Sequence, residues 1–402
     1  MPSNLTPHKT LHIAIDGNEA NTPNRVGSNV YAFKLLEALY SITQLHPEIT
    51  VTVLSSSETL EDLPAARSDW KYVVIPPAKF WTQWALPIHL FIHKKNYDIF
   101  FTPGHYAPRL CPIPYVSSVM DTAYLEYPDQ FNKTDTLKLT KWTAYSVQNA
   151  EKVIAISEFT KSSVVSAYGK NPNDVVVAYP GTNVSSFKIS DSFRKKTLRK
   201  FKIRQPYLLF VGTLQPRKNI ETLIEAYETF VRLAASRTLP TKGKRNVKQP
   251  TPQLVLAGKV GWLATPILKR IADSVQKKNI ITTGFITNKE KQVLYEEAFA
   301  STLLGLYEGF GIPPLESFYY GTPTVVSNTT SLPEVVGDAG LQVDPRDPHA
   351  AAEAFYDIYS ATARQKLVWK RRGIKQTKQF SWEDSANKVL ETLIQTHENL
   401  SK

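Results

Sequence analysis

Residues 301–316 read STLLGLYEGFGIPPLE: an apolar run leads into a glycine-containing loop and then into two prolines. The run over Ser301–Leu306 is typical of a buried β-strand, and the prolines can open a following helix. Gly309 and Gly311 allow the backbone to approach a ligand closely and to offer it N–H donors. A strand that ends in such a loop before a helix predicts one unit of a parallel α/β sheet.

The same alternation of short apolar runs and amphipathic segments continues in both directions along the chain. Near-continuous Val, Ile and Leu strands separated by helices predict doubly wound parallel sheets. In the first half, strands are predicted over Leu11–Asp16, Thr50–Ser55, Tyr72–Pro76, Asp98–Pro103, Tyr115–Asp121, Lys152–Ser157 and Val175–Gly181. In the second half, they are predicted over Tyr207–Gly212, Gln253–Gly258, Asn279–Gly284, Ser301–Leu306, Thr322–Asn328 and Gly340–Asp344. Helical patterns include Val30–Ile42, Leu137–Ala150 and Trp382–Glu398.

A basic segment over 191–204, DSFRKKTLRKFKIR, separates the two series of strands and is interpreted as a linker. It predicts two α/β domains, 1–190 and 200–380. The polar, proline-rich stretch at 237–252 is expected to form an exposed loop in the second domain. Ligands of open α/β sheets bind at the carboxyl ends of strands, so a cleft between the two sheets is the expected site.

The chain of 402 residues carries 48 Lys and Arg against 36 Asp and Glu, a net charge of +12. Such an excess predicts an anionic partner: a nucleotide, an anionic membrane surface or a nucleic acid. The basic runs at 194–204, 242–248 and 366–378 are each typical of solvated linkers or helix faces, and together they are compatible with weak membrane-surface association. No DNA- or RNA-binding motif accompanies them, so no nucleic-acid partner is expected.

The single cysteine, Cys111, excludes an internal disulfide framework and is interpreted as a packing residue. The N-terminus has no apolar signal region, and no stretch approaches the ~20 apolar residues of a membrane span, which predicts a cytoplasmic protein. The aromatic-rich segment Phe80–His93 is interrupted by Gln83, Pro87 and His89 and predicts a buried helix rather than a membrane-inserted one.

The segment Gly212-Thr-Leu-Gln-Pro-Arg-Lys-Asn219 lies between a predicted strand and a helix that opens near Asn219. Two cations beside a helix N-terminus, after a glycine, suit an anion, because N–H groups and the positive end of the dipole point at it. Arg217 can place two hydrogen bonds on phosphate oxygens. Taken alone, the segment fits solvated charge equally well.

Glu308 and Glu316 belong to a loop and to the first turn of the next helix, respectively. This separation disfavours a compact acid/base pair and favours two carboxylates that accept hydrogen bonds from hydroxyl groups of a ligand. Glu316 alone also fits a helix-dipole role. After the first strand, GNEANTPNRVGSN (17–29) lacks the G-x-G-x-x-G fingerprint, but its Gly27 is placed where a loop meets a helix N-terminus, which suits phosphate.

These segments, in this order, resemble glycosyltransferase family 4, a large retaining family with the GT-B fold, and the resemblance covers nearly the whole chain. The further segments that carry it are Asp121, Ile156–Lys161, Tyr179-Pro-Gly181, Ala257-Gly-Lys259, Thr283–Ile286, Gly321-Thr-Pro323, Leu332-Pro-Glu334, Gly337–Gly340 and Phe380-Ser-Trp382. The resemblance implies two Rossmann-like, doubly wound parallel-sheet domains facing across a cleft. It also implies a final helix, about 381–400, that crosses back onto the first domain.

The resemblance also implies roles for individual residues. Arg217 and Lys218, with the Gly27 backbone, would hold the donor diphosphate and neutralise the leaving group, with Gly212 in the same loop. Gly309, Phe310 and Gly311 would present backbone amides to the donor sugar. Catalytic roles fall to Asp121, Arg217, Lys218 and Glu308, while Glu316 would bind the ribose hydroxyls and Phe285 and Ile286 would border the base.

One position departs from the family pattern. Family members usually carry His directly before the aspartate that follows the fifth strand, where it faces the donor sugar, whereas this chain has Met120-Asp121. Methionine neither carries charge nor hydrogen-bonds strongly, so the usual sugar contact is in doubt. His105, after the fourth strand, is a candidate substitute, and a surface histidine is the plainer interpretation of it.

With no Asp-x-Asp motif at a strand end and no His/Cys cluster, the sequence predicts that Arg217, Lys218 and helix dipoles, rather than a metal ion or another cofactor, meet the diphosphate charge. The resemblance implies retaining transfer from a nucleotide-diphosphate sugar to a glycan or lipid-linked acceptor in cell-surface polysaccharide synthesis, and looks closest to the mannosyltransferase branch, with GDP-mannose as donor. The alternatives are a UDP-glucose-dependent glucosyltransferase, a catalytically weakened nucleotide-sugar-binding relative and, less favoured, a sugar-nucleotide epimerase or a nucleic-acid-binding protein.

Overall fold

A computed structural model describes residues 10–25, 27–104, 106–182, 184–237 and 250–402. His105 and residues 238–249 of the predicted loop lie outside the described residues. The described chain divides into two compact units. Unit 1 comprises the described residues within 10–126, 133–181 and 380–402, and unit 2 those within 127–132 and 182–379.

Unit 1 is built on a sheet of seven parallel strands in the described part of the chain, in the order β3-β2-β1-β4-β5-β6-β7. The strands are β1 Leu11–Asp16, β2 Ile49–Ser55, β3 Trp70–Val74, β4 Ile99–Thr102, β5 Tyr115–Val119, β6 Lys152–Ala155 and β7 Val175–Val177. The helices are α1 Ser28–Thr43, α2 Ala85–Ile92, α3 Ala123–Glu126, α4 Lys133–Asn149, α5 Glu158–Tyr168 and α14 Trp382–Leu400.

Unit 2 is built on a sheet of six parallel strands among its described residues, in the order β10-β9-β8-β11-β12-β13. The strands are β8 Tyr207–Val211, β9 Gln253–Ala257, β10 Ile280–Gly284, β11 Ala300–Leu303, β12 Thr324–Ser327 and β13 Leu341–Val343. The helices are α6 Asp191–Lys200, α7 Ile220–Ser236, α8 Thr265–Asp273, α9 Asn288–Glu297, α10 Ile312–Tyr319, α11 Leu332–Val336, α12 Pro348–Ser360 and α13 Ala363–Thr377.

The strand order reverses at the first strand of each unit: β1 lies between β2 and β4, and β8 lies between β9 and β11. Both strands are buried along nearly their whole length, as expected for parallel strands covered on two faces. The reversal opens a crevice at the carboxyl ends of the central strands, where open α/β sheets bind ligands. The predicted doubly wound fold is therefore confirmed in both halves.

The last helix belongs to unit 1 although it follows all of unit 2 in sequence, which confirms the predicted return. α14 packs beside α1, and the rings of Trp382 and Tyr31 meet edge to face with centroids 5.7 Å apart. A Cβ at Gly181 would lie 2.4 Å from the backbone nitrogen of Trp382. Glycine at position 181 is thus required for the return of the chain.

The segment 191–204, predicted as a linker, instead contains α6 and groups with unit 2. Ser190 caps the helix by accepting from the backbone N–H of Phe193. Arg194 contacts Glu296 and Glu297 at 2.8 and 2.7 Å, and Lys200 contacts Glu290. The correction has a simple cause: cations that look like solvated charge in the sequence face carboxylates of α9.

The prediction of a buried helix over Phe80–His93 was half wrong. The helix, α2, is shorter, and only one of its faces is buried. Trp81, Ala85, Leu86 and Leu90 pack into the core of unit 1, but large apolar side chains remain exposed on the opposite face. Apolar content alone cannot tell a helix covered on all sides from one covered on a single side.

Candidate active site

The loop that follows β8 carries the two cations predicted to bind an anion. Gly212 pairs with the neighbouring strand through its N–H, which donates to the Ala257 carbonyl at 2.9 Å. A Cβ at Gly258 would lie 2.0 Å from the Gly212 carbonyl oxygen, so the two loops touch backbone to backbone. Pro216–Lys218 forms one turn of 3-10 helix, and α7 begins directly afterwards at Ile220.

Asn219 joins that turn to α7 in a left-handed backbone conformation, with φ of 55°. Its side chain donates to the Pro345 carbonyl at 2.7 Å and accepts from the Thr222 hydroxyl at 2.7 Å. An asparagine tolerates this conformation better than most residues because its short amide bonds locally. Asn219 therefore fixes where Arg217 and Lys218 lie relative to the helix start.

Lys218 and Glu308 form the central ion pair of this site. The Lys218 ammonium contacts both Glu308 carboxylate oxygens, at 2.6 and 2.8 Å, and both side chains are largely buried. The Leu306 N–H donates to the Arg217 carbonyl at 2.9 Å, which ties the loop after β11 to the loop after β8. The structure thus brings Arg217, Lys218 and Glu308 together at the strand-order reversal.

Two glycines of the loop after β11 stand where a Cβ would collide with a neighbouring side chain. A Cβ at Gly305 would lie 2.6 Å from a Glu308 carboxylate oxygen. Gly311, with φ of 111°, caps α10, and a Cβ there would lie 2.5 Å from the side chain of Leu332. The Ser331 hydroxyl contacts the backbone carbonyls of Glu308 and Phe310, each at 2.8 Å. These contacts fix the backbone of the Glu308–Gly311 loop.

Glu316 lies on α10 and is also buried beside a cation. Lys291, on α9, contacts one of its carboxylate oxygens, and the Tyr295 hydroxyl donates to the other at 3.3 Å. Burial raises the pKa of Glu316, whereas the Lys291 charge and the hydrogen bonds from Lys291 and Tyr295 lower it. Burial therefore favours the neutral form of Glu316, and the positive charge of Lys291 offsets part of that effect.

Phe285 and Ile286 follow the left-handed Gly284 at the end of β10, close in sequence to α9. Phe285 is 76% exposed, while Ile286 packs partly against the hydrophobic cluster that contains Leu294 and Tyr295. An exposed aromatic ring is suited to stack on a flat ligand.

In unit 1, three of the predicted residues lie at the carboxyl edge of the sheet. Gly27 precedes α1 with φ of 53°, and open space surrounds the position where a Cβ would stand. Met120 follows β5 and is 7% exposed. Asp121 accepts from the Ala123 N–H at 3.1 Å, at the start of the short helix α3. His105, the predicted substitute for the family histidine, is outside the described part of the chain.

Two family models divide the chain between them. A model described as Glycosyltransferase Family 4 matches residues 27–186, and one described as Glycosyl transferases group 1 matches residues 193–376. The first match spans β2 to β7 of the first sheet, and the second spans all six strands of the second sheet.

The chain belongs to glycosyltransferase family 4.

Relatives agree with this placement. The chain is 29% identical over 298 residues to O-antigen chain mannosyltransferase B of Escherichia coli, which covers 74% of each protein. Its fold is similar to sucrose-phosphate synthase from Thermosynechococcus elongatus, with a TM-score of 0.69 and 18% identity over 96% of this chain and 98% of that one. It is also similar to Anabaena HepE solved with UDP and glucose, with a TM-score of 0.69 and 17% identity over 96% of this chain and all of the other. The protein is therefore a glycosyltransferase with the GT-B fold.

The structure also identifies residues near the candidate site that the sequence analysis did not predict. In unit 2 they are Lys291 and Tyr295, which contact Glu316 although they lie 25 and 21 residues from it in sequence. The Thr287-x-x-Glu290 capping box gave a local signal for the start of α9, but nothing in the sequence ties Lys291 to Glu316.

In unit 1 the residues that the sequence did not single out are Asp16 and Glu19. Asp16 ends β1 and accepts from the Asn18 N–H at 2.9 Å, and burial raises its pKa to about 7. Glu19 accepts from the side chains of Ser28 and Asn29 at 3.3 and 2.6 Å. Asp16 ends the first strand and Glu19 lies in the loop after it, and the sequence had given neither residue a role.

Across the residues that the structure describes, no group of three or more His, Cys, Asp or Glu side chains is placed to hold a metal ion. Cys111 packs against the core of unit 1, and burial raises the pKa of its thiol to about 11, which suits a packing residue and not a nucleophile. No described helix is both long and apolar enough to cross a membrane.

Proposed function

We propose that this glycosyltransferase moves mannose from GDP-mannose to a glycan or lipid-linked acceptor in the synthesis of a cell-surface polysaccharide, with retention of anomeric configuration and without a metal ion. The mannosyl and polysaccharide parts rest on its similarity to the O-antigen mannosyltransferase, at 29% identity over 74% of both chains. The site of action proposed is the cytoplasm, at the inner face of the membrane, in keeping with the +12 charge of the chain.

The observation that carries the proposal is the arrangement of Arg217, Lys218 and Glu308 at the carboxyl ends of β8 and β11. Lys218 lies 2.6 Å from a buried carboxylate and in the same turn as Arg217, beside the start of α7. Two fixed cations at a helix start suit a diphosphate. Glu308 then stands beside that diphosphate, where a carboxylate can accept from sugar hydroxyls.

Glu316 supports the assignment of the nucleotide end. It is a buried carboxylate on α10, the helix that follows the Glu308 loop, and Lys291 and Tyr295 hold it in place. An ionised carboxylate with two oxygens is suited to accept from a pair of ribose hydroxyls. Phe285, exposed and close in sequence to Lys291, is suited to stack on the base.

In the proposed reaction, the bond between the anomeric carbon and the diphosphate oxygen breaks. A bond to the acceptor hydroxyl oxygen forms on the same face of the sugar. The acceptor proton passes to the departing diphosphate oxygen, so the step balances without an added base. Arg217 and Lys218 stabilise the charge that grows on the diphosphate as it leaves.

The first test is the choice of donor. A panel of sugar nucleotides is added to the protein, and the unfolding temperature is followed, since a ligand that binds the folded state raises it. GDP-mannose is expected to give the largest shift and to be hydrolysed or transferred. A larger shift with UDP-glucose, which the fold similarity to HepE with UDP and glucose favours, would replace the mannose assignment.

The metal-free mechanism has its own test. Donor turnover in EDTA is expected to equal turnover in added Mg²⁺, because the two cations stand where a metal would otherwise neutralise the diphosphate. Turnover that stops with the chelator and returns with Mg²⁺ or Mn²⁺ contradicts this part. Donor binding without turnover under either condition would instead indicate the catalytically weakened relative.

A further inference from the structure

The helix α2 exposes a row of large apolar side chains. Trp84, Ile88, Phe91 and Ile92 are spaced i, i+4, i+7 and i+8, so they share one helix face, and Phe80 precedes them. All five are more than half exposed, Trp84 at 66%, Phe91 at 64% and Ile92 at 68%. These five residues are called the α2 surface below. Single exposed apolar residues are ordinary, but a contiguous group marks an interaction site.

The opposite face of the same helix shows that the exposure is not a packing failure. Trp81, Ala85, Leu86 and Leu90 are buried in the core of unit 1, and the Trp81 indole donates to the Ile75 carbonyl at 3.0 Å. The helix is thus anchored from below with a defined orientation. Its outer face is presented to solvent by a fixed scaffold.

The charged residues of the segment that carries the α2 surface have one sign. From Trp70 to Tyr97 the sequence contains no Asp or Glu, while Lys79, Lys94 and Lys95 flank the apolar row and are exposed. The Lys79 ammonium lies 5.4 Å from the Phe80 ring centroid, and that of Lys94 lies 5.2 Å from the ring of Phe91. Lysines whose aliphatic chains lie beside exposed aromatic rings are typical of helices that bind at the surface of an anionic bilayer.

We propose that the α2 surface docks unit 1 onto an anionic phospholipid membrane, with the rings of Phe80, Trp84 and Phe91 at the boundary of the acyl chains and the three lysines on the lipid phosphates. Tryptophan favours that boundary because its ring is apolar and its N–H is polar. A second copy of this chain fits less well, because a two-fold contact would bring the same lysines of both copies together.

This surface differs from the basic runs of the sequence. In the run at 194–204, Arg194 and Lys200 face carboxylates of α9 and are partly neutralised. The inference stands on exposure and charge in unit 1 and does not depend on the identity of the donor sugar. Donor binding, measured by thermal shift, therefore remains a separate readout.

The test is co-sedimentation of the full chain with vesicles of phosphatidylcholine alone or with added phosphatidylglycerol. Binding is expected only to the anionic vesicles and should weaken with salt. The double variant Trp84→Ser/Phe91→Ser should bind on the order of tenfold or more weakly, and Lys94→Gln/Lys95→Gln should bind several-fold more weakly. The matched control, Leu45→Ser/Val275→Ser, alters two apolar residues elsewhere that are even more exposed than Trp84 and Phe91, and it should bind like the wild type.

A second readout reports the contact itself. Lipids with brominated acyl chains quench tryptophans that reach the chain boundary, so the wild type is expected to lose fluorescence on binding. Trp84→Phe keeps an aromatic ring and should still bind, but with less quenching. Unchanged unfolding temperatures would show that the variants are folded, since the altered side chains are exposed.

Three results would overturn the proposal: no binding of the wild type to anionic vesicles, equal binding of Trp84→Ser/Phe91→Ser, or equal quenching of Trp84→Phe. A dimer of the wild type in solution that Trp84→Ser/Phe91→Ser dissociates would also overturn it, because a second copy would then cover the surface. None of these results would change the donor assignment.

Discussion

In unit 2, the two buried carboxylates that follow β11 each contact a lysine: Glu308 contacts Lys218 and Glu316 contacts Lys291. In unit 1, the two carboxyl groups at the end of β1 and in the loop after it contact neutral donors. Asp16 accepts from a backbone N–H, and Glu19 accepts from Ser28 and Asn29. Both sheets reverse their strand order at their first strand, but the carboxylates at the carboxyl-terminal edges of the two sheets have different partners.

The difference follows from what each edge can bind. Cations already fixed by buried carboxylates need little reorganisation to bind a diphosphate, whereas neutral donors and a buried carboxyl such as Asp16, whose pKa is raised, are suited to hydroxyl groups. We therefore propose that the unit 2 edge binds the diphosphate of the donor and that the unit 1 edge binds hydroxyl groups of the acceptor.

The largest effect is expected at the diphosphate. Arg217→Ala and Lys218→Ala should each weaken nucleoside diphosphate binding by about 1.5–3 kcal/mol and the pair by at least about a hundredfold, because each removes a charge-assisted contact. Binding of the nucleoside should hardly change. Calorimetric titration with both ligands measures the difference, and equal diphosphate affinity of the wild type and the double variant would contradict the assignment.

Lys218→Ala also leaves Glu308 buried without its lysine, which by itself destabilises the fold. The variant Lys218→Met/Glu308→Gln removes both charges and should recover stability while diphosphate binding stays weak. Arg237→Ala is the matched control, because Arg237 forms an exposed ion pair with Glu353 in the same unit. It should leave diphosphate affinity unchanged.

The largest effect on stability, rather than on ligand binding, is expected at Asp16, on the unit 1 edge. Because burial raises the pKa of Asp16 to about 7, the folded protein holds this proton more tightly than the unfolded chain does. Its contribution to stability is therefore present at low pH and lost as the pH rises from about 4 to 7. Asp16→Asn should stabilise the protein at pH 8, by up to about 4 kcal/mol.

Denaturant unfolding of Asp16→Asn and the wild type at pH 5 and pH 8 measures this difference. A variant that is less stable than the wild type at pH 8 would show that ionised Asp16 is held by contacts stronger than the Asn18 N–H. Glu19→Gln should weaken this pH dependence slightly, because the charge of Glu19 also raises the pKa of Asp16.

A smaller effect is expected at Glu316. Its pKa is raised by burial, so nucleotide affinity should fall as the pH drops and the carboxylate is protonated. In Lys291→Met the compensating charge is gone, the pKa rises further, and the loss of affinity should begin at a higher pH. We expect binding on the order of three- to tenfold weaker near pH 6, with Lys291→Arg restoring most of it.

The pH profile separates positioning of Glu316 from mere structural support. Glu316→Gln should bind more weakly at all pH values and show no such titration. If Lys291→Met lowers affinity by the same factor at every pH, Lys291 acts through structure and not through the charge of Glu316.

The sequence predicted the sheets well because their strands are continuous runs of Val, Ile and Leu, and β1 has the predicted bounds. It failed where the outcome depends on what lies opposite a residue. The charges of α6 were read as a linker because their partners on α9 are about 100 residues away. The exposed side of α2 was missed because its composition is apolar on both faces.

The residues of the candidate site could be predicted where the sequence around them gives a local pattern, and not where their partners are distant in sequence. Arg217, Lys218 and Glu308 could be predicted because glycine, proline and the helix starts beside them give a local pattern, and the structure brings them together. Lys291 and Tyr295 have no such pattern, because α9 and α10 meet only in the folded chain. The role of Lys291 in nucleotide binding is a prediction, which the pH profile of Lys291→Met tests.

The smallest and most specific effect is expected at Met120, where the family usually has histidine. Met120 is buried at the end of β5, and its side chain offers the donor sugar neither a charge nor a strong hydrogen bond. Nucleotide affinity should rest on Arg217, Lys218 and Glu316 of unit 2. We therefore expect the nucleoside diphosphate alone to bind about as tightly as the full sugar nucleotide.

Met120→His should then improve donor use by a few-fold, because imidazole is similar in size and can hydrogen-bond the sugar. A contact made in the transition state would raise kcat, whereas one made in the ground state would mainly lower KM. Met120→Leu keeps the volume without the donor and should give no gain. If Met120→His abolishes turnover in a folded protein, the methionine shapes the sugar site, and the mannose assignment is the first to be withdrawn.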